Sequence, residues 1–187
     1  MKSVLISIRK EHNENIFSGK KRFEGRKTLP AIIPLGNHID NTATYKPSQY
    51  DVTCYIYEPK TGGGCGKVVG EFVCDFAQTF HSAIANMKMV ANALCVTEDF
   101  ARQYFNRDIG VMLRVCVPKR YDKPKELTDF IVPSKIGCCN EGKCRGCKYF
   151  DRGNGFNVED DCNAHFSTDE YKPLRRPPQS WCYVEGE

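Results

Sequence analysis

Five of the chain's eleven cysteines and one of its four histidines fall in GCCNEGKCRGCKYFDRGNGFNVEDDCNAHF, from Gly137 to Phe166. Cys144 and Cys147 are spaced so that two thiolates from one tight turn can reach a single ion. Cys162 and His165 repeat that spacing, which gives C-x2-C-x14-C-x2-H. Cys138 and Cys139 stand just upstream. The segment is polar and carries Gly142, Gly146, Gly153 and Gly155, so it cannot build a core of its own. A zinc ion would order it, because the free energy of binding becomes free energy of folding. The expected ligands are Cys139, Cys144, Cys147 and Cys162, with Cys138 or His165 as the alternate fourth. Four protein ligands leave no open position for water, so this zinc would be structural. A thioredoxin-like C-x-x-C would open a helix, whereas this one lies in a glycine-rich loop. Cys54, Cys74, Cys95, Cys116 and Cys182 sit among apolar residues and read as core. Cys65, in GGGCGK, reads as a turn residue.

The second stretch with chemistry is FSGKKRFEGRK, which brings Lys21, Glu24 and Arg26 close along the chain. In an extended backbone Glu24 and Arg26 point to one face, with Lys21 at the preceding turn. Such a group could bind a nucleotide or activate a substrate. Spacing alone favours a local ion-pair patch after a helix. Arg9, Lys10, Lys20, Arg22 and Lys27 add positive charge nearby, against Glu11 and Glu14.

The elements that must position these groups follow from periodicity. KSVLISI predicts a half-buried strand with Val4, Ile6 and Ile8 on one face. RKEHNENIFSG predicts a short helix with Gly19 as its C-terminal cap. Residues 28–49 are rich in Pro, Gly, Asn and Thr and read as a long loop. DVTCYIY and KVVGEFVCDF form a plausible hairpin across EPKTGGGCG. SAIANMKMVANAL and TEDFARQYF read as helices, the second capped by Thr97 and carrying an i, i+4 pair of Phe100 and Tyr104. GVMLRVCV is a strand, PKRYDKPKELTDF a proline-broken connection, PLRRPPQS a stiff linker and WCYVE a closing strand. This order lacks the regular alternation of a doubly wound sheet. It fits an α+β fold, a small mixed barrel with flanking helices and a zinc-stabilised insertion.

The 187 residues suit a single domain, 1–187, with 137–166 as the insertion. The composition, 41% hydrophobic and 27% charged, is that of a globular protein. No apolar run approaches the roughly 20 residues of a membrane helix. MKSVLISIRKEHNE has too short an apolar stretch for a signal peptide. These features point to a cytoplasmic protein without a membrane partner, in a reducing compartment that disfavours disulfides. The net charge of +4 permits an anionic partner without requiring one.

VLISIRKEHNENIFSGKKRFEGRK resembles the opening of an ASCH domain, a branch of the PUA-like superfamily. Members begin with a strand, then a helix ending in Gly, then G-x-K-x-x-E/T-x-R, matched here by Gly19, Lys21, Glu24 and Arg26. KVVGEF, YFNRDIGVMLRVCVPKRYDKPKELTDF and RPPQSWCYVE resemble later blocks of the family, in order, so the likeness spans most of the chain outside the cysteine segment. The resemblance implies a PUA-like β-barrel whose cleft is lined by the G-x-K motif and which works on RNA or nucleotides. In that reading Lys21, Glu24, Arg26 and Arg9 bind RNA or a modified nucleotide. Some relatives are amidohydrolases that deacetylate acetylcytidine with a Lys and a Thr of this motif and a distant Glu, and others are described as ribonucleases. An enzyme here would use Lys21 and Glu24, since Glu24 stands where that Thr would be. Glu71 and Glu98 are the candidates for the distant Glu. A third reading is a protein-interaction module, with Tyr149, Phe150 and Phe156 of the zinc loop meeting a protein partner.

Overall fold

The computed structural model describes residues 2–36, 45–106, 109–133 and 171–185. All five expected zinc-segment cysteines, His165 and the loop aromatics lie outside these residues.

The described strands form two sheets. The larger has seven strands in the order β7-β4-β3-β1-β10-β8-β9, and the smaller has three in the order β2-β6-β5. Val4, Leu5 and Ile6 of β1 (Lys2–Ser7) are fully buried, and β1 lies in the middle of the large sheet. It pairs in parallel with β3 (Val52–Glu58) and antiparallel with β10 (Trp181–Glu185). The strand is therefore covered on both faces, not half-buried as its alternation suggests. Val4, Ile6 and Ile8 face the main core, and Leu5 meets Tyr55, Tyr57, Phe130 and Val184 on the other side.

β3 and β4 (Lys67–Cys74) make the expected antiparallel hairpin, from Val52↔Cys74 to Glu58↔Lys67. Its connection contains Gly62, Gly63 and Gly66 at positive φ, a region that residues with a Cβ rarely adopt. β5 (Ala77–His81), β6 (Ile109–Arg114) and β2 (Phe23–Arg26) build the small sheet. α1 (Lys10–Phe17) ends as expected, with Gly19 at φ +74 and its N–H donating to the Ile16 carbonyl. α2 (Met87–Leu94) and α3 (Glu98–Tyr104) cover the outer face of the small sheet with Met87, Val90, Leu94 and Ala101 against Phe23, Phe105 and Met112. The Thr97 hydroxyl accepts from the Phe100 N–H, so α3 starts at the cap its sequence announces.

Two expectations need correction. The stretch beginning at Pro118 is not a broken connection but most of β7 (Cys116–Lys125). β7 lies at the sheet edge, where Pro118 and Pro124 cost little because their missing N–H groups are not needed on the open side. The sheets also do not close into a barrel among the described residues. The chain turns a corner instead: β4 runs into β5 through Asp75 and Phe76, and β6 runs into β7 through Val115. At the corner the Arg114 N–H donates to the Phe76 carbonyl and the Val115 N–H to the Arg22 carbonyl. Strands that bend from one sheet into the next satisfy their hydrogen bonds without closing a ring. The main core, with Ile16, Ile33, Phe72, Val111 and Leu113, fills the space between.

β8 (Ile131–Pro133) and β9 (Tyr171–Pro173) pair antiparallel, with Pro133 opposite Tyr171. The chain thus leaves the sheet and returns to it at adjacent positions, and an excursion between them need not disturb the fold.

Candidate functional site

The turn after α1 delivers Lys21 to the start of β2. Its N–H donates to the Asn15 carbonyl at 2.8 Å, which fixes the chain direction as it leaves the helix. β2 then alternates. Phe23 and Gly25 face α2 and α3, and Glu24 and Arg26 face the core between the sheets, opposite Leu113 and Val111. Gly25 packs closely here: a Cβ would come within 2.9 Å of both Leu94 Cδ1 and Phe105 Cζ, and those side chains would have to shift. Gly25→Ala is expected to lose about 1–3 kcal/mol of stability by overpacking, read from the urea midpoint.

Lys21, Glu24 and Arg26 meet in one cluster. Lys21 Nζ lies 2.7 Å from Glu24 Oε2, and Arg26 Nη2 lies 3.0 Å from Glu24 Oε1. All three are buried, at 4%, 5% and 6% residual exposure. This is not the solvated ion-pair patch that spacing alone favours. Arg26 Nη2 also donates to the Ser7 carbonyl at 2.8 Å, which ties the small sheet to the end of β1. The buried Arg26 Nε has no hydrogen-bond partner among the described residues, and neither has the buried Glu24 Oε2, whose link to Lys21 is an ion pair. Burial pulls the Glu24 carboxyl upward, and the Lys21 ammonium and Arg26 guanidinium outweigh that pull, so it sits below the usual carboxylate range. A carboxylate held this firmly in its charged form is a weak general base.

The surroundings include residues that the sequence reading did not assign to the site. His12, on α1, carries the charges of Lys21 and Glu24 as electrostatic neighbours, and burial followed by Lys21 lowers its pKa. It is therefore neutral at pH 7. Phe100 contacts the His12 ring with centroids 6.1 Å apart, and Tyr104 stacks parallel to Phe100 at 5.8 Å. Burial raises the Tyr104 phenol, which also feels Arg26 and Glu24. Lys27 Nζ sits 4.8 Å from the Tyr104 ring centroid. The sequence does mark the Phe100–Tyr104 pair as an i, i+4 contact, but nothing in it tells that α3 folds back over the β2 motif.

Other candidates lie elsewhere. Arg9 is an exposed residue at the start of α1, and its carbonyl accepts from the His12 and Asn13 N–H groups. Its charge is among those acting on His12. Glu71 accepts the Tyr121 hydroxyl, and Glu98 pairs with Arg102 at 2.6 Å. Neither shares a contact with Lys21 or Glu24. Trp181 donates to the Thr28 hydroxyl and Tyr183 accepts from the Ala31 N–H, so both help close the core, as a terminal strand suggests. Cys54, Cys74 and Cys116 are buried, in keeping with a core role, and burial pushes the Cys116 thiol up to about 12. Cys95 differs. It is the left-handed cap of α2, at φ 54, and its thiol donates to the Lys20 carbonyl at 3.3 Å. Among the described residues no group of three or more His, Cys, Asp or Glu is placed to hold a metal ion, and no helix is long and apolar enough to cross a membrane.

No protein-family model matches the chain, and no curated protein matches it. Among solved structures it is similar to ASCH from Zymomonas mobilis at 18% identity, over 67% of this chain and 73% of that one, with a TM-score of 0.48. Two mutant forms of that protein are similar at 17% and 18% identity, covering 67% and 68% of this chain and 74% and 77% of theirs, with TM-scores of 0.48 and 0.47.

Proposed function

We propose that this chain is an ASCH-type, PUA-like module that binds RNA or a modified nucleotide at the Lys21–Glu24–Arg26 group. The observation that carries the reading is the buried Arg26 Nε–H without an acceptor among the described residues, beside an ammonium ion-paired with Glu24. An unpaired buried donor costs about 1–3 kcal/mol. A ligand oxygen, from a phosphate or a base carbonyl, would satisfy it and meet two cations at once. Glu24 holds both cations in place and has two oxygens to accept from an exocyclic amine. The Gly19–Arg26 motif, read as an ASCH motif, supports the same ligand class.

The test combines binding and turnover. A labelled single-stranded RNA is titrated at rising salt, and acetylcytidine is incubated with the protein and its products read by mass. Lys21→Met is compared throughout. The expected result is an association that weakens as salt rises, by counterion release, weakens further in Lys21→Met, and is accompanied by no product. Salt-independent binding would overturn the reading. Product that disappears in Lys21→Met would make the protein a hydrolase with Glu24 at the position usually held by Thr.

The second part of the proposal is the structural zinc on Cys139, Cys144, Cys147 and Cys162. Support comes from the ligand spacing. The purified protein is expected to carry one zinc per chain by elemental analysis, and chelation is expected to open residues 137–166 to proteolysis. Substitution of Cys144 should abolish the zinc, and His165→Ala should leave it bound. A metal-free protein with unchanged protease resistance would rule out the zinc.

A further inference from the structure

The Lys21–Glu24–Arg26 group can position a polar edge but offers no surface for a base to stack on. Trp181 and Tyr183 are committed to core contacts. A different set of rings does border the charged group. His12 is an electrostatic neighbour of Lys21 and Glu24, and Tyr104 of Glu24 and Arg26. Phe100 lies between them, with centroids 6.1 Å from His12 and 5.8 Å from Tyr104. It keeps 40% of its surface exposed, although it is a large apolar residue beside a charged cluster. Exposed cations stand at both ends of the row, Arg9 by His12 and Lys27 by Tyr104.

We propose that His12, Phe100 and Tyr104 form a stacking platform for a single-stranded RNA segment, with one base on the open face of Phe100 and flanking phosphates at Arg9 and Lys27. The proposal rests on the binding function assigned above and names its ligand more narrowly. The rings explain why a strand fits better than a free nucleotide. A mononucleotide needs one ring and one cation, whereas three rings with a cation at each end match a base flanked by two phosphates. Every base has a π-face, so such a platform tolerates any sequence, and specificity is left to the polar group beneath. Phe100 is on the surface of α3, so the platform can be altered without touching the buried ion pairs.

The experiment titrates a fluorescein-labelled oligoadenylate of seven nucleotides, and separately AMP, against the full-length protein and its variants. Phe100→Leu keeps the apolar bulk and removes the π-face. It is expected to weaken oligonucleotide binding on the order of 5- to 100-fold, the range of one lost base–aromatic stack, without changing the salt slope. Phe100→Tyr is expected to bind like the unaltered protein. Arg9→Gln and Lys27→Gln should each flatten the salt slope by about one charge, and AMP should bind much more weakly than the oligonucleotide. Thermal unfolding of each variant, expected unchanged, separates loss of the platform from loss of the fold. Oligonucleotide binding that is intact in Phe100→Leu but lost in Lys21→Met would overturn the platform and leave the binding function standing. AMP binding as tight as the oligonucleotide would overturn the strand. No RNA binding by the unaltered protein would overturn both.

Discussion

Replacing Glu24 by Gln is expected to cost about 3–5 kcal/mol of stability, the range for removing one partner of a buried ion pair. Glu24 is the shared counter-charge of Lys21 and Arg26, at 2.7 and 3.0 Å, and all three groups are nearly free of solvent. Without its charge, two cations remain in the space between the sheets. Lys21→Met leaves the Glu24–Arg26 pair balanced, and the new side chain adds apolar contact, so its cost is expected near 1 kcal/mol. Equilibrium urea unfolding of the two variants checks this order. If Lys21→Met proved as damaging as Glu24→Gln, the ammonium would be a structural support in its own right. The contrast also has a practical use: Lys21→Met keeps the fold, which makes it the variant for binding work.

A stable protein does not need this group for its fold. Buried ion networks are often matched or exceeded in stability by apolar residues of the same volume. The main core here already joins the sheets through Ile16, Phe72, Val111 and Leu113. One donor of the charged cluster lacks an acceptor among the described residues. Retaining three charges and an unsatisfied N–H where Leu or Met would fit is reasonable if the group serves a ligand.

Much of this was legible in the sequence, for local reasons. The helix ends at Gly19 and Thr97 are written by residues that cap for known stereochemical causes, and the β3–β4 hairpin by two apolar runs around glycines. Lys21, Glu24 and Arg26 were legible as neighbours because one turn and one short strand hold them. Their burial was not, because it depends on pairing with β6, far away in the chain. Spacing alone favours a solvated patch, which the burial of all three groups corrects. The identity of β7 was hidden by Pro118 and Pro124, whose strand-breaking effect vanishes at a sheet edge. The aromatic row was hidden for a different reason. His12 belongs to α1 and the two rings to α3, and only the packing of helices around β2 brings them together. β5 went unread because the short run AQTFH carries little β signal of its own; its partner β6 supplies the ladder.

Acid should do chemically what Glu24→Gln does by substitution, and the steps can be separated. The His12 pKa is lowered by the fold, chiefly through burial and then Lys21. As pH falls through its unfolded value of about 6.5, the unfolded chain takes up the proton first, and stability declines until the folded pKa is reached. The Glu24 pKa is also lowered, but this group is an acid. Its contribution is complete above the unfolded value near 4.5 and is lost as pH drops through the folded one. Protonated Glu24 leaves Lys21 and Arg26 uncompensated, so the ceiling of this second loss is the same roughly 3–5 kcal/mol as for the substitution. Urea midpoints measured from pH 7.5 to pH 3 should therefore fall in a shallow step below about pH 6.5 and a steeper one below about pH 4.5. His12→Gln should remove the shallow step and leave the steep one. Glu24→Gln should start lower and lose less stability than the unaltered protein below pH 4.5, since its second step is already taken. Parallel curves for Glu24→Gln and the unaltered protein across the acid range would show that the carboxylate does not hold the two sheets in place through its charge. The same series read by RNA anisotropy ties the stability argument to function. Neutral His12 beside Phe100 is the form present at pH 7, and protonation would add a cation to the ring row. Binding is therefore expected to tighten only as pH falls below 6.5 and through the lowered His12 pKa.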